Sequence, residues 1–182
     1  NLINSKIKKL PDNLTVGGYL DLSETLIEKL PNNLTINGSL ALENTLINEL
    51  PKNLIFGGNL HLKNSLIERL PDNLTIEGYL NLSNTPIKKL PENLFVKGYL
   101  NLENTLIDEL PKKLIFVGYL NLNNTNIKEL PDNLTVDGDL FLINTPIKRL
   151  PNNLTVIGNL FLNKIIKEIP KSVKVYREII KQ

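Results

Sequence analysis

The feature that most constrains the fold is a proline that returns at every twentieth position, followed each time by a glycine seven residues later. The prolines are Pro11, Pro31, Pro51, Pro71, Pro91, Pro111, Pro131 and Pro151, and the glycines are Gly18, Gly38, Gly58, Gly78, Gly98, Gly118, Gly138 and Gly158. A short fixed period of this kind is typical of a solenoid, in which each coil packs only against its neighbours. We therefore predict 20-residue coils stacked along one axis.

Each coil also shows the periodicity of short strands. In the coil 91–110, Leu94 and Val96 form one alternating apolar pair, and Leu100 and Leu102 form a second. Alternation with a period of two places the apolar side chains on one face of an extended segment. The sequence therefore predicts two short strands in every coil, both with their leucine and valine side chains turned inward.

Small and polar residues recur where the chain must turn. Gly98 and its equivalents separate the two strands, and we expect them to adopt positive φ there. A hydroxyl residue after the second strand is expected to point inward and bond backbone groups, at Thr25, Thr45, Ser65, Thr85, Thr105, Thr125 and Thr145. The asparagines before it suit a left-handed turn, at Asn44, Asn64, Asn84, Asn104, Asn124 and Asn144.

These positions carry a resemblance to a known family. From Leu100, the string LNLENTLIDELP reads L-x-L-x-x-T-x-I-x-x-L-P, which resembles the leucine-rich repeat signature with Thr where the family usually has Asn. The 20-residue length is similar to the short class found in secreted bacterial effector proteins. The resemblance implies a protein-binding solenoid. Because an extra inward pair precedes the signature, the cross-section is either a curved horseshoe or a flattened β-solenoid.

The fold expected from these patterns is mainly β: a single right-handed solenoid of 20-residue coils with parallel strands. Residues 1–169 are predicted to form about eight such coils. Residues 170–182 are predicted to form a short helical or irregular C-terminal cap, because Tyr176, Ile179 and Ile180 have helical spacing. The N-terminal edge has no visible cap in the sequence, and it could meet another copy.

Composition argues against several classes of function. The formal net charge is only +2, with lysines interspersed among acids, so we expect no nucleic-acid partner. The chain has no cysteine, and His61 is its only histidine, which we expect to be a solvated strand residue. Carboxylates such as Glu109 are expected to compensate lysines such as Lys89 in the adjacent coil. We therefore expect no enzyme, no cofactor and no metal site.

No apolar run reaches the roughly 18 residues that a membrane-spanning helix needs, so we expect no membrane insertion. Localisation is left open by the sequence. A soluble protein and a part of a larger assembly, secreted or associated with a virion, both fit this composition.

Outward residues of the second strand form the candidate binding surface. Tyrosine and asparagine supply broad contact area and adaptable hydrogen bonding, a composition common in recognition surfaces. The residues predicted to contact a partner are Tyr79, Asn81, Tyr99, Asn101, Tyr119, Asn121, Phe141 and Phe161. The alternative is that aromatic and amide rows only stabilise the stacked strands through contacts between neighbouring coils.

Two functions remain open at this level. The first is a non-catalytic repeat module that binds another protein, with the host-directed or surface-associated role that the family resemblance implies. The alternative is a structural component of a virion, fibre or surface assembly. In that role the coils would serve as a spacer, and the N-terminal edge would meet another copy of the chain.

Overall fold

The computed structural model describes residues 2–182 and contains no helix within them. Its strands are short and come in pairs, one pair for each coil. They are β1 (Thr15–Val16), β2 (Leu20–Asp21), β3 (Thr35–Ile36), β4 (Leu40–Ala41), β5 (Ile55–Phe56), β6 (Leu60–His61), β7 (Thr75–Ile76), β8 (Leu80–Asn81), β9 (Phe95–Val96), β10 (Leu100–Asn101), β11 (Ile115–Phe116), β12 (Leu120–Asn121), β13 (Thr135–Val136), β14 (Leu140–Leu142), β15 (Thr155–Val156), β16 (Leu160–Leu162), β17 (Lys174–Val175) and β18 (Ile179–Lys181).

The strands stack in parallel, each beside its copy in the next coil. The odd-numbered strands form what we call the first face, which is divided into three sheets of three strands. The even-numbered strands form the second face, a continuous nine-stranded sheet from β2 to β18. Pairing joins residues 20 positions apart, as in Leu100 with Leu120. This confirms the predicted mainly β solenoid of 20-residue coils with parallel strands.

The interior is a single apolar column that runs through all the coils. Leu100, Leu102 and Ile107 are fully buried, and so are their equivalents in most other coils. The leucine before each proline, such as Leu110, is almost as deeply buried. Because every coil contributes the same side chains at the same height, leucines and isoleucines fill the interior layer by layer.

The predicted inward hydroxyl row is confirmed in six coils. The Thr105 hydroxyl donates to the backbone carbonyl of Leu102 at 2.7 Å. Thr25, Thr45, Thr85, Thr125 and Thr145 make the same bond three residues back, at 2.7–2.8 Å. The hydroxyl therefore satisfies a carbonyl at the point where the chain leaves the sheet.

The asparagines before these hydroxyls adopt the left-handed conformation, as predicted. Their φ angles lie between 55° and 59° at Asn44, Asn64, Asn84, Asn104, Asn124 and Asn144. Their side chains also bond between coils, since the Asn84 amide nitrogen donates to Asn64 Oδ1 at 2.8 Å. Asparagine therefore serves both the turn and the stacking of the coils.

The prediction of positive φ at the repeated glycines is wrong at all but one position. Among the glycines of residues 2–182, only Gly118 has positive φ, at 103°. A Cβ added at Gly98 would lie 2.9 Å from the Gly78 carbonyl oxygen. The Gly98 amide donates to that same oxygen at 2.8 Å. Glycine is needed because neighbouring coils approach closely to make this bond, rather than for a special dihedral angle.

The first face is interrupted at two places that the sequence analysis did not predict. Backbone pairing is lost between β5 and β7 and again between β11 and β13. Open clefts of about 300 Å³ and 280 Å³ lie at these breaks. In both cases the coil before the break carries phenylalanine, Phe56 or Phe116, at an inward position where other coils have isoleucine or valine. The larger ring holds the next coil away on this face.

The helical form predicted for part of residues 170–182 does not occur. Instead β17 pairs with β15, and β18 pairs with β16, so this segment adds a further coil to the stack. Val175 pairs with Val156, which is 19 residues earlier rather than 20. This shift matches Pro170, which also comes one residue early in the repeat. The apolar spacing that suggested a helix reflects a short strand, because an adjacent sheet edge was present to pair with it.

Ser65 supplies a stability prediction. It replaces threonine in the hydroxyl row, and its buried hydroxyl has no hydrogen-bond partner within residues 2–182. Ser65→Thr should raise the free energy of unfolding by about 1 kcal/mol, because the added methyl group is buried and the hydroxyl is directed to the Leu62 carbonyl. Urea unfolding measures this change.

Thr85→Ser is the matched control, and it should lower stability by a similar amount. If Ser65→Thr leaves stability unchanged or lowers it, the assignment of the hydroxyl row as a stabilising element is contradicted.

Candidate protein-binding surface

Six aromatic side chains on the second face form a continuous row, which we call the aromatic row: His61, Tyr79, Tyr99, Tyr119, Phe141 and Phe161. The centroids of Tyr79 and Tyr99 are 4.2 Å apart, and those of Tyr99 and Tyr119 are 4.4 Å apart. Phe141 and Phe161 stack at 4.5 Å. The row therefore extends across six coils, with each ring carried by a strand of the second face or by the residue just before it.

The row shifts sideways by two residues at each end of the tyrosine stack. Tyr79 and Tyr119 precede their strands, whereas His61 and Phe141 lie in the strands, two residues further along the coil. His61 meets Tyr79 and Phe141 meets Tyr119 in T-shaped contacts, with centroids 4.7 Å and 6.1 Å apart. Such contacts continue the apolar surface without a gap where the position of the aromatic residue changes.

Stacking decides which part of each ring a partner could reach. The planes of Tyr79, Tyr99 and Tyr119 lie within about 10° of parallel, so their faces cover one another. All three residues are half-buried. The tyrosine stack therefore presents ring edges and hydroxyl groups rather than open ring faces.

The predicted asparagines lie beside the aromatic row but mainly serve local turns. Asn101 Oδ1 accepts a hydrogen bond from the Glu103 amide at 3.0 Å, and Asn121 Oδ1 does the same for Asn123. The Asn81 oxygen accepts bonds from the amide and hydroxyl of Ser83. Within residues 2–182, the side-chain amides of Asn81 and Asn101 have no acceptor and are available to a partner.

The hydroxyls of Tyr99 and Tyr119 are held in their neutral form. Burial is the main cause that raises the pKa of Tyr99, and the neighbouring Tyr79 hydroxyl adds to it. Burial also raises the pKa of Tyr119. Since phenols ordinarily titrate near pH 10, a further rise keeps these groups protonated throughout the physiological range. These two hydroxyls are therefore uncharged groups that can donate and accept hydrogen bonds.

His61 is a strand residue, as predicted, but its side chain is half-buried rather than solvated. Its side chain is 20% exposed, and its Nε2 lies 2.8 Å from the Tyr79 hydroxyl. Burial lowers the pKa of His61, while the carboxylates of Glu43 and Asp21 act in the opposite direction. His61 is thus a member of the aromatic row. Sequence reasoning missed this because His61 and Tyr79 are 18 residues apart and do not follow the 20-residue period.

The structure brings the predicted aromatic residues together, whereas Tyr19 lies apart from them. Tyr79, Tyr99, Tyr119, Phe141 and Phe161 all lie in the aromatic row. Tyr19, at the equivalent position in the first full coil, is separated from them by Ser39 and Asn59 and is 50% exposed. A ring joins the aromatic row only when the adjacent coil also carries an aromatic residue at this part of the surface.

Charges on other parts of the surface pair between coils, as predicted. Lys89 Nζ lies 3.1 Å from the Glu109 carboxylate, and both side chains are largely exposed. Among residues 2–182, no group of three or more histidine, cysteine, aspartate or glutamate side chains is arranged to hold a metal ion.

Comparison with known proteins finds no family model that matches the chain and no curated protein with significant sequence similarity. The 20-residue parallel β-solenoid is compatible with a repeat family. No helix within residues 2–182 has the length and apolarity that crossing a membrane requires.

His61 gives a prediction for the pH dependence of stability. Because burial lowers the pKa of His61 below its ordinary value, the unfolded chain binds the proton more tightly than the folded chain. The contribution of His61 to stability is therefore complete above about pH 6.5, the ordinary histidine value, and is lost as the pH falls below it through the lower pKa of the folded chain. His61→Asn, which introduces the residue of the next three coils, should remove this dependence.

The measurement is urea unfolding of both proteins at several pH values between about 5 and 7.5, where histidine titrates. Carboxylates contribute to both curves and cancel in the difference. Parallel curves for the two proteins would contradict the placement of a half-buried His61 against Tyr79.

Proposed function

We propose that the chain is a non-catalytic repeat module that binds another protein through the aromatic row. The observation that carries this proposal is the continuous row of half-buried rings from His61 to Phe161, held on neighbouring strands of one sheet. Rigid aromatic side chains give large contact area at low entropic cost. The strands beneath them already fix their positions, so little order has to be gained on binding.

The geometry favours a protein partner over ligands that bind by stacking. Nucleobases and sugar rings bind aromatic residues through open ring faces. In the tyrosine stack those faces are covered by the neighbouring rings. Ring edges, neutral hydroxyls and the free amides of Asn81 and Asn101 are instead suited to the mixed polar and apolar surface of a folded protein.

The repeat signature L-x-L-x-x-T-x-I-x-x-L-P supports a more specific form of the proposal. It supports a place among short leucine-rich repeat proteins of the bacterial-effector class, with a host-directed or surface-associated role. The signature and the coil length support this placement, and so does the parallel solenoid that each of them predicts.

A second candidate is a structural component of a virion, fibre or surface assembly. The uninterrupted nine-stranded sheet favours it, because such a sheet makes a rigid spacer. In that case the aromatic row would act through the contacts between its rings, and the tyrosine hydroxyls would contribute little.

The double variant Tyr99→Phe/Tyr119→Phe separates these functions. It keeps the stacked rings and removes only two hydroxyl groups from the ring edges. We expect unchanged thermal stability and a loss of partner binding of about tenfold or more, since a partner group left unpaired in an interface costs about 1–3 kcal/mol. Retention of proteins from the source cells on the immobilised chain, quantified by mass spectrometry, gives the measurement.

Thr75→Val/Thr135→Val is the matched control, because it removes two hydroxyls from the first face. A protein retained by the wild type and by this control but lost with the tyrosine variant supports the proposal. If no protein is retained selectively, or if the tyrosine variant retains the same proteins, binding through the aromatic row is contradicted.

A further inference from the structure

The first face carries a second outward surface, which the proposed function does not use. Two rows of side chains project from it, on either side of the inward residue of each odd-numbered strand. We call the first the threonine row: Thr15, Thr35, Ile55, Thr75, Phe95, Ile115, Thr135 and Thr155. We call the second the mixed row: Gly17, Asn37, Gly57, Glu77, Lys97, Val117, Asp137 and Ile157.

Large apolar side chains are exposed on this face. Ile55 is 62% exposed and Ile115 is 54% exposed, both in the threonine row. Val117 and Ile157 in the mixed row are 46% and 41% exposed. Exposure of four large apolar side chains on one side of the solenoid is typical of a surface that another molecule covers.

The order of residues in the mixed row is complementary to itself. Turning a second copy over about an axis parallel to the strands reverses the order of its coils and brings each row against its own counterpart. With the axis between the coils of Glu77 and Lys97, each residue of one copy meets a suitable residue of the other. The facing pairs are Glu77 with Lys97, Gly57 with Val117, Asn37 with Asp137, and Gly17 with Ile157.

The threonine rows of the two copies are also complementary in the same arrangement. Its facing pairs are Ile55 with Ile115, Thr75 with Phe95, Thr35 with Thr135, and Thr15 with Thr155. Apolar side chains thus meet each other near the centre, and hydroxyl residues meet each other towards the ends. In the mixed row, glycine lies opposite both exposed branched side chains, so that space is available for each.

The charges of Glu77 and Lys97 favour this register over registers that are shifted by one coil. Within one chain Lys97 Nζ lies 3.3 Å from the Glu77 carboxylate, so the two charges are adjacent on the surface. In the proposed register a second copy adds the same two charges in reverse order, which gives four charges of alternating sign. A slip of one coil either way places Glu77 against Glu77 or Lys97 against Lys97, and like charges in contact oppose association.

We propose that the first face is the interface of a homodimer in which two solenoids pack face to face with their axes antiparallel. Eight coils spaced at about 4.8 Å set the length of the interface, and four extended residues at about 3.3 Å each set its width. Together these dimensions give an area of about 500 Å² per copy. The total of about 1,000 Å² lies at the lower limit for specific interfaces. The dimer should therefore dissociate on dilution, and the second face with its aromatic row stays free in it.

Charge reversal tests both the interface and its register. Sedimentation velocity of the wild-type chain over a range of concentrations should show a monomer and dimer in equilibrium. Glu77→Lys alone should abolish the dimer, because the introduced lysine would then face Lys97 of the second copy. Lys97→Glu alone should abolish it for the corresponding reason, with two glutamates facing each other.

Mixing the two single variants should restore the dimer. Every charge of the first variant then faces an opposite charge on the second, so a heterodimer forms although neither variant associates alone. The rescue shows that both charges lie in the interface, and the loss of the dimer in each single variant reports the register. In a register slipped by one coil, residue 77 would not face residue 97, and neither single reversal would create a new pair of like charges. The charge pair inside each chain is broken in both variants, so loss of that pair cannot account for the rescue.

A second variant tests the apolar contact with a matched control. Ile115→Arg should abolish the dimer, whereas Leu106→Arg, at a residue that is 45% exposed outside the first face, should leave it intact. Circular dichroism verifies that both variants are folded. A wild-type chain that remains monomeric at all concentrations, or single variants that fail to associate when mixed, would overturn the proposal.

Discussion

The structure depends on backbone hydrogen bonds between coils in a register of 20 residues. On the second face the Leu100 amide donates to the Tyr119 carbonyl at 3.0 Å, and the Leu102 amide donates to the Asn121 carbonyl at 2.8 Å. This pattern recurs from coil to coil along the nine-stranded sheet. Because alike residues are thereby brought side by side, every side-chain row in the protein follows from this register.

The register explains why polar residues occupy fixed positions as firmly as apolar ones do. The Thr105 hydroxyl satisfies a carbonyl at the corner, and the Asn84 amide bonds to the asparagine of the preceding coil. Gly98 leaves room for a backbone bond that a side chain would obstruct. Each of these residues lies where backbone groups of two coils must be satisfied, and a buried backbone group without a partner would be costly.

The same stacking creates two faces of different character. On the second face, neighbouring tyrosines cover one another and leave their polar edges outward, which gives a neutral surface. On the first face, the outward residues change from coil to coil, and their order is complementary to itself on reversal. Interior layers that share a common pattern of apolar side chains thus allow the exterior to vary, so one solenoid can present two independent surfaces.

Much of the architecture could be predicted because the period of 20 residues is explicit in the sequence. Spacing alone indicated two strands per coil, the inward leucines and the hydroxyl bonds at the corners. The purpose of the repeated glycines could not be found this way, because Gly98 is constrained by the backbone of another coil. That contact is visible only when coils are placed in three dimensions.

Two other features escaped prediction for related reasons. Phe56 and Phe116 fit the apolar pattern of the repeat. Only their size, larger than isoleucine or valine, indicates that backbone pairing with the next coil is lost on the first face. Ile179 and Ile180 have spacing that suits a helix, yet they form a strand because β16 offers an edge. For the candidate site, the aromatic residues were predicted individually, but the contact of His61 with Tyr79 depends on ring orientation that a sequence does not specify.

The most direct test of the register uses the fact that the chain has no cysteine of its own. Asn64 and Asn84 lie one coil apart and their side chains are already bonded, so replacing both with cysteine should give a disulfide within one chain on mild oxidation. Asn64 and Asn104, which also have left-handed φ, lie two coils apart at about 10 Å. That distance exceeds the reach of a disulfide, about 7 Å between Cα atoms, so this cysteine pair should remain reduced. Oxidation of the second pair in preference to the first, read by mass spectrometry, would contradict the stacking of 20-residue coils.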